Sequence, residues 1–116
     1  MIEQRDLLLV PFPFSDQSGA KVRPVIVISN NSFNSFSEDI LVVGVTSNIS
    51  SGRYSLPLSH QNLEEGILKI SCTIKVENIL KIEKELIVKK IGKIDETTFE
   101  KIVELLFSII RYRELT

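Results

Sequence analysis

The apolar residues of this 116-residue chain change their spacing once, near Gly92, and that change divides it into two kinds of structure. Before it they come in short runs rich in β-branched residues, such as Val25 to Ile28 and Ile40 to Val45. Runs this short cannot fill a helix, and β-branched side chains suit a pleated surface, so they predict buried strands. After it, Phe99, Ile102, Val103, Leu106, Phe107 and Ile110 fall at i, i+3, i+4, i+7, i+8 and i+11, one stripe of an α-helix. Asp95 is placed to cap its N-terminus, with Ile94 and Phe99 as a hydrophobic staple, and the helix is expected over about 96–111. Leu105 and Ile109 widen the apolar face, which fits either a fuller internal core or a subunit contact.

Turn chemistry divides the first part. Strands are expected over 7–14, 24–29, 40–46, 54–58 and 86–91, with a bent strand or two short ones over 67–76. Pro11 and Pro13 end the first, and Pro57 puts the fourth at an edge or bulge. Loops are read at Ser15 to Gly19, Asn30 to Ser32, Ser47 to Gly52 and Asn62 to Gly66. The expectation is a mainly β fold, a small antiparallel barrel capped by a C-terminal helix, in a single domain over 1–116.

Composition removes several classes of function. One cysteine, Cys72, excludes an internal disulfide framework and a cysteine metal cluster. Leu7 to Val10 is too short for a signal-peptide core, and nothing approaches the ~18 apolar residues of a membrane span, so a cytoplasmic protein is expected. A net charge of −1 argues against a duplex-binding architectural protein, while leaving room for a short RNA contact through a local patch. Lys81, Lys84, Lys89, Lys90 and Lys93 are interleaved with Glu83 and Glu85 and read as a solvated face rather than such a patch.

Three segments together carry a resemblance: Arg5 to Asp16, with its acidic opening and Pro-Phe corner; Gly19 to Ser29, with Arg23-Pro24 leading a β-branched strand; and Val43 to Asn48, ending in Thr46-Ser47. Glu65 to Lys69 and Val88 to Ile94 add weaker matches. In order and spacing they resemble the MazF/PemK toxins over nearly the whole chain. The resemblance implies an SH3-like barrel of the CcdB/PemK type and a homodimer that cleaves single-stranded RNA at short sequences, without metal or cofactor. It also implies silencing by a cognate antitoxin. In that family a ribose 2′-hydroxyl attacks the neighbouring phosphorus, leaving a cyclic phosphate and a 5′-hydroxyl.

Such a reaction needs a proton acceptor, stabilisation of charge on the phosphoryl oxygens and a proton for the leaving oxygen. Arg23 is the candidate stabiliser, because a guanidinium fork matches two phosphate oxygens. Thr46 can donate to a phosphate oxygen or orient the 2′-hydroxyl, with Ser47 as a helper. The family's downstream Arg-x-Asp pair has its nearest match in Lys75-Val76-Glu77, which keeps the charges but not the geometry. Lys75 is then a candidate phosphate contact and Glu77 a candidate base. Lys21 and Asp16 are candidate RNA contacts, although for Asp16 a turn role competes. His60, the one histidine, lies in a polar stretch and is read as a solvated loop residue. Two other readings compete with ribonuclease: a CcdB-like toxin that binds a topoisomerase without catalysis, and an SH3-like peptide-docking module. The absence of Trp weighs against the second.

Overall fold

The computed structural model describes residues 1–12, 21–49 and 51–112. Strands β1 (Asp6–Phe12), β2 (Lys21–Val27), β3 (Asp39–Thr46), β4 (Ser55–Leu58), β5 (Leu63–Gly66), β6 (Cys72–Glu83) and β7 (Lys89–Ile94) form one antiparallel sheet. Their order is β4-β6-β3-β2-β1-β7-β5. Helix α1 (Asn31–Phe36) lies between β2 and β3, and helix α2 (Glu96–Ile110) follows β7. A mainly β architecture with a C-terminal helix is therefore present, as a curled seven-stranded sheet.

Both faces of this sheet are buried, which is why its central strands are nearly continuous in apolar residues rather than alternating with polar ones. One core holds Leu7, Ile26, Val43, Val45, Ile74 and Val76 beneath Phe99 and Ile102 of α2. The other holds Leu8, Val10, Val25, Val27, Ile40, Val42 and Ile82, with Leu80, Leu86 and Ile87 against it. Successive residues of β2 and β3 thus feed opposite cores, following the two-residue period of a strand.

Helix α2 starts as expected: the Asp95 carboxylate accepts from the Thr98 backbone N–H at 2.8 Å, and Ile94 and Phe99 share one core. Its buried face differs from the expected stripe. Phe99, Ile102, Leu105, Leu106 and Ile109 pack on the sheet, while Val103, Phe107 and Ile110 are 40, 56 and 71% exposed. The apolar arc is wider than one neighbour can cover, so the sheet takes the line through 102, 105 and 109 and leaves that through 103, 107 and 110 outside.

Three local expectations are corrected. Asn30 to Ser32 is a helix start and not only a break, because the Asn30 side chain accepts from the Phe33 backbone N–H at 2.9 Å and caps α1. Residues 63–66, read as a loop, form β5 on the outer side of β7; Leu63 is their one large apolar residue, so no pattern announces the strand. Its crossing with β7 needs Gly66 at φ +89°, where an added Cβ would lie 2.3 Å from the Ile91 carbonyl oxygen. Residues 67–71 are a connection, and the strand expected over 67–76 instead begins at Cys72 and runs to Glu83.

Candidate active site

Along the second core the strand faces turn from apolar to polar at one end. On β2, Val27 and Val25 are followed two residues earlier by Arg23; on β3, Ile40 and Val42 are followed by Gly44 and Thr46. Pairing of Val25 with Gly44 fixes the register, and continuing it by two residues sets Arg23 level with Thr46. On the far side of β3, Gly44 faces Lys75 and Thr46 faces Thr73 of β6. Sequence positions more than fifty apart are thereby brought to one end of one core.

The strand β6 breaks its ladder at this point. Val43 faces Ile79 but Gly44 faces Lys75, so Val76, Glu77 and Asn78 have no counterparts on β3. Val76 fills the helix-side core and its N–H bonds to the Tyr54 carbonyl at 3.0 Å. Glu77 and Asn78 are turned out to solvent. Bulges of this kind bend a strand and re-aim its side chains. A methyl group on Gly44 would meet Asn78 Cβ at 3.4 Å and Nδ2 at 3.6 Å, so the Asn78 side chain stands over the glycine.

The result is an open cleft of about 480 Å³ lined by Arg23, Thr46, Lys75, Glu77 and Asn78, with Pro24, Val25, Gly44, Val45, Ile79 and Leu80 as its floor and lip. Thr46 Oγ1 accepts from the Asn48 backbone N–H at 3.2 Å, which orients the hydroxyl and leaves its proton to donate elsewhere. Two cations, a hydroxyl and a carboxylate around one opening can hold a phosphodiester and move a proton beside it. Among the described residues, no three or more His, Cys, Asp or Glu side chains gather as a metal-binding group.

Four candidates from the sequence, Arg23, Thr46, Lys75 and Glu77, come together here. Lys21 and Ser47 do not line the cleft; both are exposed, Lys21 at the start of β2 opposite Phe12 and Ser47 just past β3. Asp16 lies outside the described residues. His60 is exposed in a short 3₁₀ turn, Ser59 and Asn62 capping it. Asn78 was not marked by the sequence reading, although an Asn beside Glu77 inside an apolar run is the kind of interruption that signals a bulge. The lysine-rich stretch is largely engaged within the protein: Lys84 Nζ donates to the Asn34 carbonyl, and Lys90 and Lys93 pair with carboxylates.

Solved structures share this architecture. A mycobacterial endoribonuclease in complex with its cognate antitoxin gives a TM-score of 0.73 at 14% identity, over 97% of this chain and 100% of that one. The Mycobacterium tuberculosis toxin MazF-mt6 gives 0.72 at 14% identity over 89% and 93%. MazE-MazF from Deinococcus radiodurans gives 0.77 at 14% identity over 94% and 95%. At such identity these likenesses establish the fold. No curated protein matches the chain in sequence. Residues 3–110 match the PemK-like, MazF-like toxins of type II toxin-antitoxin systems, and the chain belongs to that family.

Proposed function

We propose that this toxin is an endoribonuclease that cuts single-stranded RNA at selected sequences, without a metal ion, through the cleft between β2, β3 and β6. The observation that carries the reading is the convergence of Arg23, Thr46, Lys75 and Glu77 from three strands on one opening. Glu77 takes the proton of a ribose 2′-hydroxyl, whose oxygen attacks the adjacent phosphorus; the bond to the 5′-oxygen breaks and that oxygen takes a proton from solvent water in the open cleft, leaving a 2′,3′-cyclic phosphate and a 5′-hydroxyl. Arg23 and Lys75 hold the non-bridging oxygens as negative charge grows on them, and Thr46 donates its hydroxyl proton to one. Lys21 and Ser47, exposed on the flanking strand ends, extend the RNA contact, with Asp16 as a further candidate.

The protein works in the cytoplasm as a homodimer held in check by a cognate antitoxin. No helix among the described residues is long and apolar enough to cross a membrane. Val103, Phe107 and Ile110, exposed along α2, supply an apolar surface for a second copy; a monomeric mass by light scattering at micromolar concentration would remove that part of the reading.

The test is incubation of the purified protein with a diverse pool of single-stranded RNA in excess EDTA. Wild type should cut, and Arg23→Ala should cut about 10²- to 10³-fold more slowly, the loss typical of one removed transition-state donor. An intact pool, with growth still inhibited in cells, would favour a CcdB-like binding toxin instead. Equal rates for wild type and Arg23→Ala would refute the role of the arginine.

A further inference from the structure

Asn78 is left over once the proton transfer and the phosphate contacts have been assigned. It lines the same cleft, is exposed, and its amide makes no hydrogen bond among the described residues. Two features set its position: the interruption of the β3–β6 ladder, which leaves residues 76–78 unmatched and turns Asn78 out beside Glu77, and the missing side chain of Gly44 beneath it. Next to it, Pro24, Ile79 and Leu80 give the cleft an apolar lip, and Ile79 is 42% exposed.

Resting on the ribonuclease reading above, we infer that Asn78 is a specificity-determining residue that reads the base next to the scissile phosphate. Single-stranded RNA is recognised by bases splayed from the chain, laid against flat or apolar surfaces and hydrogen-bonded along their edges. With the phosphate at Arg23 and Lys75, the neighbouring base lies against the apolar lip and turns its edge to the Asn78 amide. That amide offers one donor and one acceptor side by side, the complement of a base edge with an adjacent acceptor and donor, as adenine presents at N7 and N6. The amide lies directly over Gly44, close enough that even an alanine there would touch it at ordinary contact distance.

The experiment is cleavage of a randomised single-stranded RNA pool by wild type, Asn78→Ala and Asn78→Asp, with sequencing of the new ends and a thermal melt of each protein. Wild type should favour one base at a position beside the cut. Asn78→Ala should reduce that preference about tenfold, the discrimination typical of one two-bond contact, while its choices at other positions stay as they were. Asn78→Asp, of nearly the same shape but without the donor, should change which base is favoured there, since a carboxylate accepts from a base amino group and cannot donate. A motif identical in all three proteins would overturn the assignment and leave the ribonuclease reading standing. Failure of wild type to cut any RNA would overturn both.

Discussion

Two clusters of charge occupy the two halves of this sheet, and their surroundings leave one satisfied within the protein and the other facing an opening. On the β1–β7–β5 side, Asp6 is fully buried: Oδ2 accepts from the Glu3 backbone N–H at 2.8 Å, and Oδ1 lies 3.2 Å from Lys90 Nζ and 3.7 Å from Lys93 Nζ. Lys93 reaches Glu3 at 2.8 Å and Lys90 reaches Glu65 at 3.2 Å, while Arg5, at φ 77°, donates to Glu64 and to the Ile94 carbonyl. On the β2–β3–β6 side, Lys75 and Glu77 have no ion-pair partner among the described residues and face an open cleft. Charges that satisfy one another hold strands together, whereas those facing an opening remain for a ligand. Residue type does not separate the two uses; strand register does.

That contrast is broken most severely at Asp6. Asp6→Ala removes a fully buried carboxylate that accepts from the Glu3 N–H and pairs with Lys90 and Lys93, and since both lysines keep a second carboxylate it is expected to cost about 1–3 kcal/mol, the usual penalty for leaving a buried partner unsatisfied. Urea unfolding measures it. The variant should cut RNA normally wherever it remains folded, and a loss below about 1 kcal/mol would mean that the cluster does not bind the strands.

A smaller effect belongs to the helix start. Hydrogen bonds donated by Thr98, first from its side chain and then from its backbone N–H, hold the Asp95 carboxyl below the ordinary carboxylate range. A lowered folded-state value means stability that is present above the unfolded value and lost as pH falls through the folded one. Lys93 likewise lowers Glu3, through a hydrogen bond and then its charge, so this contact too weakens on the acid side. Asp95→Ala should cost about 0.5–2 kcal/mol at neutral pH. Asp95→Asn, which keeps an acceptor for the N–H, should keep most of the cap and flatten the acid dependence; an unaltered pH profile in that variant would assign the dependence elsewhere.

Legibility in the sequence followed the range of the forces. The start of α2 could be read because Asp95, Ile94 and Phe99 act within a few residues of one another, and β2 because three consecutive residues, Val25, Ile26 and Val27, are all buried. The face of α2 was half right, since Val103 and Phe107 follow the helical period yet point away from the sheet. Strand β5 was invisible because the partners that order it are distant in sequence: it pairs with β7, and its Glu64 and Glu65 reach Arg5 and Lys90. In the site, Arg23, Thr46, Lys75 and Glu77 could be named from family resemblance and phosphate chemistry. Asn78 could not, because its placement depends on a ladder break that only the pairing of β3 with β6 reveals.

For the proposed ribonuclease activity, the most direct measurement is a backbone amide NMR titration of the wild-type toxin with an RNA oligonucleotide drawn from the cleavage assay, made uncleavable by a 2′-deoxy nucleotide at the cut position. Shifts should concentrate at Arg23, Gly44, Thr46, Lys75, Glu77 and Asn78, with Arg5, Asp6, Lys90 and Lys93 unmoved. Shifts centred on the Asp6 cluster, with the cleft residues silent, would contradict the division between structural and functional charge.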